Sequence, residues 1–244
     1  MMHFFASPNS HNRPEFRDFK AMISQRQNHT GFSCYIITCL LIYPAMKHIT
    51  ATQIILASQS PRRKYLLEQA GLTFSVVPSC TDEMQQPNET PRKYVERLSR
   101  DKALDVAQHH ENAWIIGADT IVVVDNTLLE KPDSMDHARE MLQKLSNRTH
   151  TVFTGFTICG PGEKPIITHH VTTEVEFKAL SPAEIEWYIS TKEPFDKAGA
   201  YAIQGLGTFL VKGIHGSYTN VVGLPVCEVI EVLIQEKVIR SFNY

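Results

Sequence analysis

Residues 113–124, AWIIGADTIVVV, restrict this chain more than any other stretch, because a run so apolar and β-branched reads as a strand in the middle of a sheet. It is too hydrophobic for an edge and is broken only by Gly117-Ala118-Asp119-Thr120. A carboxylate buried in such a run without a partner would cost several kcal/mol. Asp119 therefore requires a metal, a cation or exposure in a cleft.

A second apolar strand, Ile54-Ile55-Leu56-Ala57, runs into Ser58-Gln59-Ser60-Pro61 and then an amphipathic helix. Ser60 suits the cap of that helix, and Pro61 its first position, where a missing N–H costs nothing. Arg62 and Arg63 follow at once. Cations at a helix N-terminus are unfavourable by about 0.3–1 kcal/mol each. A strand-to-helix turn carrying free N–H groups, hydroxyls and two guanidinium groups thus predicts a site for a multiply charged anion. The bland alternative is a capped helix start with a solvated basic first turn.

Around these two strands the chain alternates. Phe74 to Val77 reads as a strand that runs into Asp82-Glu83, and 91–108 as a helix capped by Thr90, with Arg97, Arg100 and Lys102 on a solvated face. Asp125-Asn126 predicts a hairpin, Leu128 to Lys131 a return strand, and 134–145 a helix. Residues 149–158 and 166–177 form a second hairpin about Gly160-Pro161-Gly162, with Glu174 and Glu176 toward solvent. Ser181-Pro182-Ala183-Glu184 is a capping box. The small residues of 196–207 suit a binding wall, followed by short strands at 209–214 and 218–222 and a closing helix at 225–236.

The 244 residues, 43% hydrophobic, suffice for one substantial core or two modest ones. A formal net charge of -2 argues against broad nucleic-acid or membrane-surface binding, both of which favour a basic face. Five scattered cysteines without a CxxC pair predict a reduced, cytoplasmic protein without structural zinc. Residues 1–52 lack periodicity apart from an apolar run from Phe32 to Met46. That run is interrupted by Pro44 and is shorter than the roughly 18–20 residues that cross a bilayer, so a peripheral extension ahead of a domain at 53–240 is expected, without stable membrane association.

Taken together, Ser58-x-Ser60-Pro61-Arg62-Arg63, Asp82-Glu83, Gly117 to Thr120, Glu130-Lys131-Pro132 and Asp196 to Gly205 resemble the Maf family of nucleoside triphosphate pyrophosphatases, in the family's order. The resemblance covers 53–233. It implies an α/β fold, an elongated mixed β-sheet flanked by helices in two lobes, similar to the inosine triphosphatases. It also implies cleavage of a nucleoside triphosphate to the monophosphate and pyrophosphate with a divalent metal, Mg²⁺ or Mn²⁺. By the same resemblance Asp119 is the catalytic base and Glu83 and Asp119 hold the metal, while Ser58, Arg62, Lys102 and Lys131 grip phosphates. Arg63, Thr120 and Gln204 match the positions of base selectivity, and all are of the dTTP/UTP type rather than the 7-methyl-GTP type. A homodimer is implied too. Gln59 departs from the small residue usual in the family, which predicts altered phosphate affinity. A nucleotide-binding regulator of cell division without significant turnover is the alternative from another class.

Overall fold

A computed structural model describes residues 53–240; the expected extension at 1–52, with its apolar run, lies outside the described residues. In chain order the first elements are β1 (Ile54–Ala57), α1 (Pro61–Gln69), β2 (Ser75–Val76), α2 (Pro91–Ala107), β3 (Trp114–Val124), β4 (Thr127–Leu129) and α3 (Met135–Leu145). They are followed by β5 (Thr149–Gly160), β6 (Lys164–Phe177), α4 (Pro182–Ser190), three short 3₁₀ turns, β7 (Val211–His215), α5 (Tyr218–Val222) and α6 (Val226–Gln235). The strands make one seven-stranded mixed sheet, ordered β2-β1-β3-β5-β6-β7, with β4 also on β3. No helix among the described residues is long and apolar enough to cross a membrane.

β3 runs as one strand from Trp114 to Val124, through Gly117 to Thr120, as the apolar run predicts. The two faces of the strand explain why these residues are tolerated. One face carries Ile115, Gly117, Asp119, Ile121 and Val123 and is covered by α2, whose Tyr94, Val95, Leu98, Ala103, Val106 and Ala107 are buried against it. A Cβ on Gly117 would stand 2.3 Å from the Ser99 carbonyl oxygen, and one on Gly155 of β5 would stand 2.2 Å from that of Val95. The missing side chains are what let the helix backbone lie directly on the sheet.

On the other face, Ile116 and Ala118 belong to a cluster closed by α1 and α6, while Val122 and Val124 belong to one closed by α3 and α4. Thr120 stands between the two clusters. Fully buried Ile55, Leu56, Ile115 and Ile116 lie in the central sheet as the apolar runs predict.

The C-terminal part differs from expectation. Residues 218–222 form the helix α5, not a strand, although Thr219, Val221 and Val222 are β-branched. The Ser217 hydroxyl caps it by accepting from the Asn220 N–H, and the fully buried Asn220 side chain donates to the Val152 carbonyl and the Thr173 hydroxyl. Those tertiary bonds outweigh a weak propensity. Residues 205–210 form a 3₁₀ turn, so β7 begins at Val211.

Candidate active site

One edge of β3 is paired with β5 from Ile115 to Val123, but the other is shared between β1, opposite 114–117, and β4, opposite 122–124. Ala118 to Ile121 have no strand partner on that edge, and a cleft of about 750 Å³ opens against them. Adjacent strand residues point to opposite faces, so Asp119 lies on the α2 side and Thr120 on the other. The gap gives both access to one cleft, which Ser58, Arg62, Arg63, Glu83, Lys102, Lys131 and Gln204 also line.

On the α2 side Lys102 does not belong to a solvated face. Its Nζ donates to Asp119 Oδ1 at 2.7 Å and lies 2.6 Å from Glu83 Oε1. The Lys102 and Asp119 side chains are 8% and 10% exposed, so their charges depend on each other, whereas Glu83 is 53% exposed. Partial burial pushes the Glu83 carboxyl up, but the Lys102 bond and the charges of Lys102 and Lys131 outweigh it and hold the group below its ordinary value. Two residues of α2 fix the loop that carries Glu83. The Tyr94 hydroxyl donates to the Glu83 carbonyl at 2.6 Å, and Arg97 grips both oxygens of Glu89 and donates to the Met84 carbonyl at 3.0 Å. Sequence reasoning assigned neither role. Tyr94 looks like a core aromatic and Arg97 like any exposed arginine until the loop is folded back on the helix.

The turn after β1 is built as its sequence predicts: the Ser60 hydroxyl accepts from the Arg63 N–H, and Pro61 opens α1. The two arginines diverge, however, instead of aiming at one point. Arg62 donates from Nη1 to Asp196 Oδ2 at 2.9 Å, and Lys197 holds the other oxygen of that carboxylate. Arg63 turns inward: Nε donates to the Gly223 carbonyl at 2.7 Å, Nη1 to the Ser58 hydroxyl at 3.0 Å and Nη2 to the Thr120 hydroxyl at 3.1 Å. Burial pulls it below the usual guanidinium range, against the opposing field of Asp119. With each of its three nitrogens bonded to protein, Arg63 organises the turn, while Arg62 stands at its mouth. Gln59 is exposed on the rim of the cleft.

The opposite wall carries Lys131 and Gln204, whose side chains make no hydrogen bonds among the described residues and remain available to a ligand. Glu193 shapes this wall, accepting from the N–H groups of Leu206 and Gly207 and from the Tyr188 hydroxyl. Gly205, at φ 67°, lies over the same carboxylate, where an added Cβ would be 2.8 Å from its oxygen.

The donor set suits a hard divalent cation. The carboxylates of Glu83 and Asp119 already converge on one cationic nitrogen, and an oxygen-only pair is what Mg²⁺ or Mn²⁺ accepts beside phosphate oxygens and water. Outside the cleft, Glu96, His169 and His170 place three donor atoms within 4.8 Å of one another. Arg92 and His170 both lie on Glu96 Oε1, which leaves little uncompensated charge there to draw a cation.

The family described as Maf-like protein matches residues 53–236. The chain is 47% identical over 181 residues to the dTTP/UTP pyrophosphatase of Syntrophus aciditrophicus, covering 74% of this chain and 88% of that protein. It is 50% identical over 182 residues to the protein of the same name from Geotalea uraniireducens, covering 75% and 94%. Among solved structures, the dITP/XTP pyrophosphatase of Mycobacterium abscessus aligns over 76% of this chain and 96% of its own, at 14% identity and a TM-score of 0.38, too distant to bear on function.

Proposed function

This chain belongs to the Maf family, and from that premise we propose that it hydrolyses dTTP and UTP to the nucleoside monophosphate and pyrophosphate. The observation that carries the reading is the meeting of the Glu83–Lys102–Asp119 cluster and the Ser58–Arg62 turn at one gap in β3. Arg62, Lys131 and the Ser58 turn receive the phosphates, and Lys102 neutralises charge beside them. Asp119 Oδ1 is held by Lys102, and Oδ2 makes no hydrogen bond among the described residues. In this reading Oδ2 takes a proton from water as the water oxygen attacks the α-phosphorus and the bond to the bridging oxygen breaks, releasing pyrophosphate. A divalent ion held by Glu83 and Asp119, Mg²⁺ or Mn²⁺, would supply charge neutralisation on the phosphates and orientation of that water.

A side-chain amide N–H can donate to a carbonyl on a uracil or thymine edge, which suits Gln204 as a base reader. The reading places the enzyme in the cytoplasm, with residues 53–240 as the catalytic unit and a homodimer as its assembly. Incubation with UTP and Mg²⁺ or Mn²⁺ should give UMP and pyrophosphate. Release of orthophosphate alone, or a higher kcat/KM on 7-methyl-GTP than on UTP, would reject it.

A further inference from the structure

We infer that Thr154, a fully buried residue with no place on the cleft, sets discrimination between uracil or thymine and cytosine by fixing the direction of the Thr120 hydroxyl proton. The inference rests on the pyrimidine reading above. Thr154 lies directly across from Thr120 in the β3–β5 register, with the two hydroxyl oxygens 2.9 Å apart. The Thr154 proton goes to the Asn220 carbonyl at 3.0 Å. Thr154 is then an acceptor toward Thr120, and the Thr120 proton goes to it. The other acceptor open to that proton, the Gly223 carbonyl, is farther at 3.3 Å and already receives Arg63 Nε at 2.7 Å.

From its remaining side Thr120 accepts from Arg63 Nη2 at 3.1 Å. A hydroxyl has one proton and two lone pairs. With the proton on Thr154 and one lone pair on Arg63, Thr120 offers the cleft a single acceptor and no donor. Phosphate oxygens are acceptors themselves, so the ligand group facing Thr120 must be an N–H or O–H. Uracil and thymine both carry an N–H at N3, whereas neutral cytosine carries a lone pair there. An acceptor-only hydroxyl therefore admits the two bases alike and opposes the third, and a mismatch leaves facing lone pairs with no proton between them.

Thr154→Val keeps the shape and removes the nearer acceptor, leaving the Thr120 proton only the long bond to the Gly223 carbonyl at 3.3 Å, from which it can turn to the cleft when the N3 lone pair of cytosine faces it. The kcat/KM ratio of UTP to CTP should fall about tenfold. Thr154→Ser should restore it, and the melting temperature of each variant reports whether it is folded. An unchanged ratio in folded Thr154→Val overturns the role of Thr154, while a wild type that does not prefer UTP to CTP overturns the pyrimidine reading beneath it. A second measurement needs no variant: wild type should lose most of its kcat/KM on N3-methyl-UTP, and turnover equal to UTP would overturn the acceptor-only assignment.

Discussion

The two faces of β3 are both polar where they meet the cleft, but in opposite senses. On the α2 face Asp119 shares one lysine with a half-exposed Glu83 and keeps an oxygen without a partner. On the other face Thr120 accepts from Arg63 and donates to Thr154, which in turn donates to the Asn220 carbonyl. Incompletely satisfied charge at a water-accessible edge can take up a cation, a phosphate or a proton. A network whose one cation, Arg63, is bound on every nitrogen has less to offer such groups, but it holds one proton arrangement and so can discriminate among ligands. In the proposed reading, chemistry and selectivity are thus assigned to adjacent residues of one strand, on opposite faces of the sheet.

The sharpest way to break this comparison is Asp119→Asn. The change removes the proposed base but does not strand Lys102, because Glu83 remains 2.6 Å from its Nζ. We expect kcat to fall by about 10²–10⁴-fold with the fold retained. Near-wild-type turnover would refute the role. A melting temperature that collapses in step with activity would reduce Asp119 to a paired core carboxylate.

A smaller effect is expected on the quiet face, at His150, and it concerns stability alone. His150 is buried in the cluster closed by α3 and α4, with Nε2 2.7 Å from the Tyr201 hydroxyl and Nδ1 without a hydrogen-bond partner. Burial pulls its pKa from 6.5 down to about 4. Above 6.5 the imidazole is neutral in both states and its contribution is intact. Below that the unfolded chain takes up a proton that the folded chain resists, so stability is lost as pH falls toward 4, by about 3 kcal/mol in total. Glu83 and Asp196, both held below their ordinary values, add to the loss at the acid end of the window. Urea unfolding from pH 7 to 4 should therefore be less steep in pH for His150→Gln than for wild type, and an identical slope would remove this histidine from the account.

Legibility in the sequence followed how local each determinant was. The turn at Ser58 to Pro61 and the helix after it depend on neighbours along the chain, and the cap forms as the residues predict. Asp119 was legible because a carboxylate in an apolar strand has few uses. Lys102 was legible only through the family resemblance, since Arg97, Arg100 and Lys102 look alike along one helix, and the close approach allowed by Gly117 and Gly155 brings Lys102 onto the strand. The inward turn of Arg63 depends on Gly223, 160 positions later. The helix at 218–222 depends on Asn220 reaching β5 and β6. Nothing in the adjacent residues announces these long-range bonds.

The smallest expected effect sharpens the comparison most, because it tests whether the α2 face can be loosened without touching selectivity. The Tyr94 hydroxyl donates to the Glu83 carbonyl at 2.6 Å and lies 3.5 Å from Glu130 Oε1. Burial, with the nearby charges of Glu130 and Asp119, raises its pKa well above the ordinary phenol value, so it stays a donor at every working pH. Tyr94→Phe deletes one bond to a loop that Arg97 still holds through Glu89 and Met84, and should cost about 0.5–1.5 kcal/mol of stability. Glu83 then samples more positions, which raises the Mg²⁺ concentration needed for half-maximal kcat/KM by a few-fold. Thr120 and its partners lie across the sheet, so the UTP to CTP ratio should not move. A changed ratio with an unchanged Mg²⁺ requirement would mean that the two faces are coupled through the cleft and that their separation does not hold.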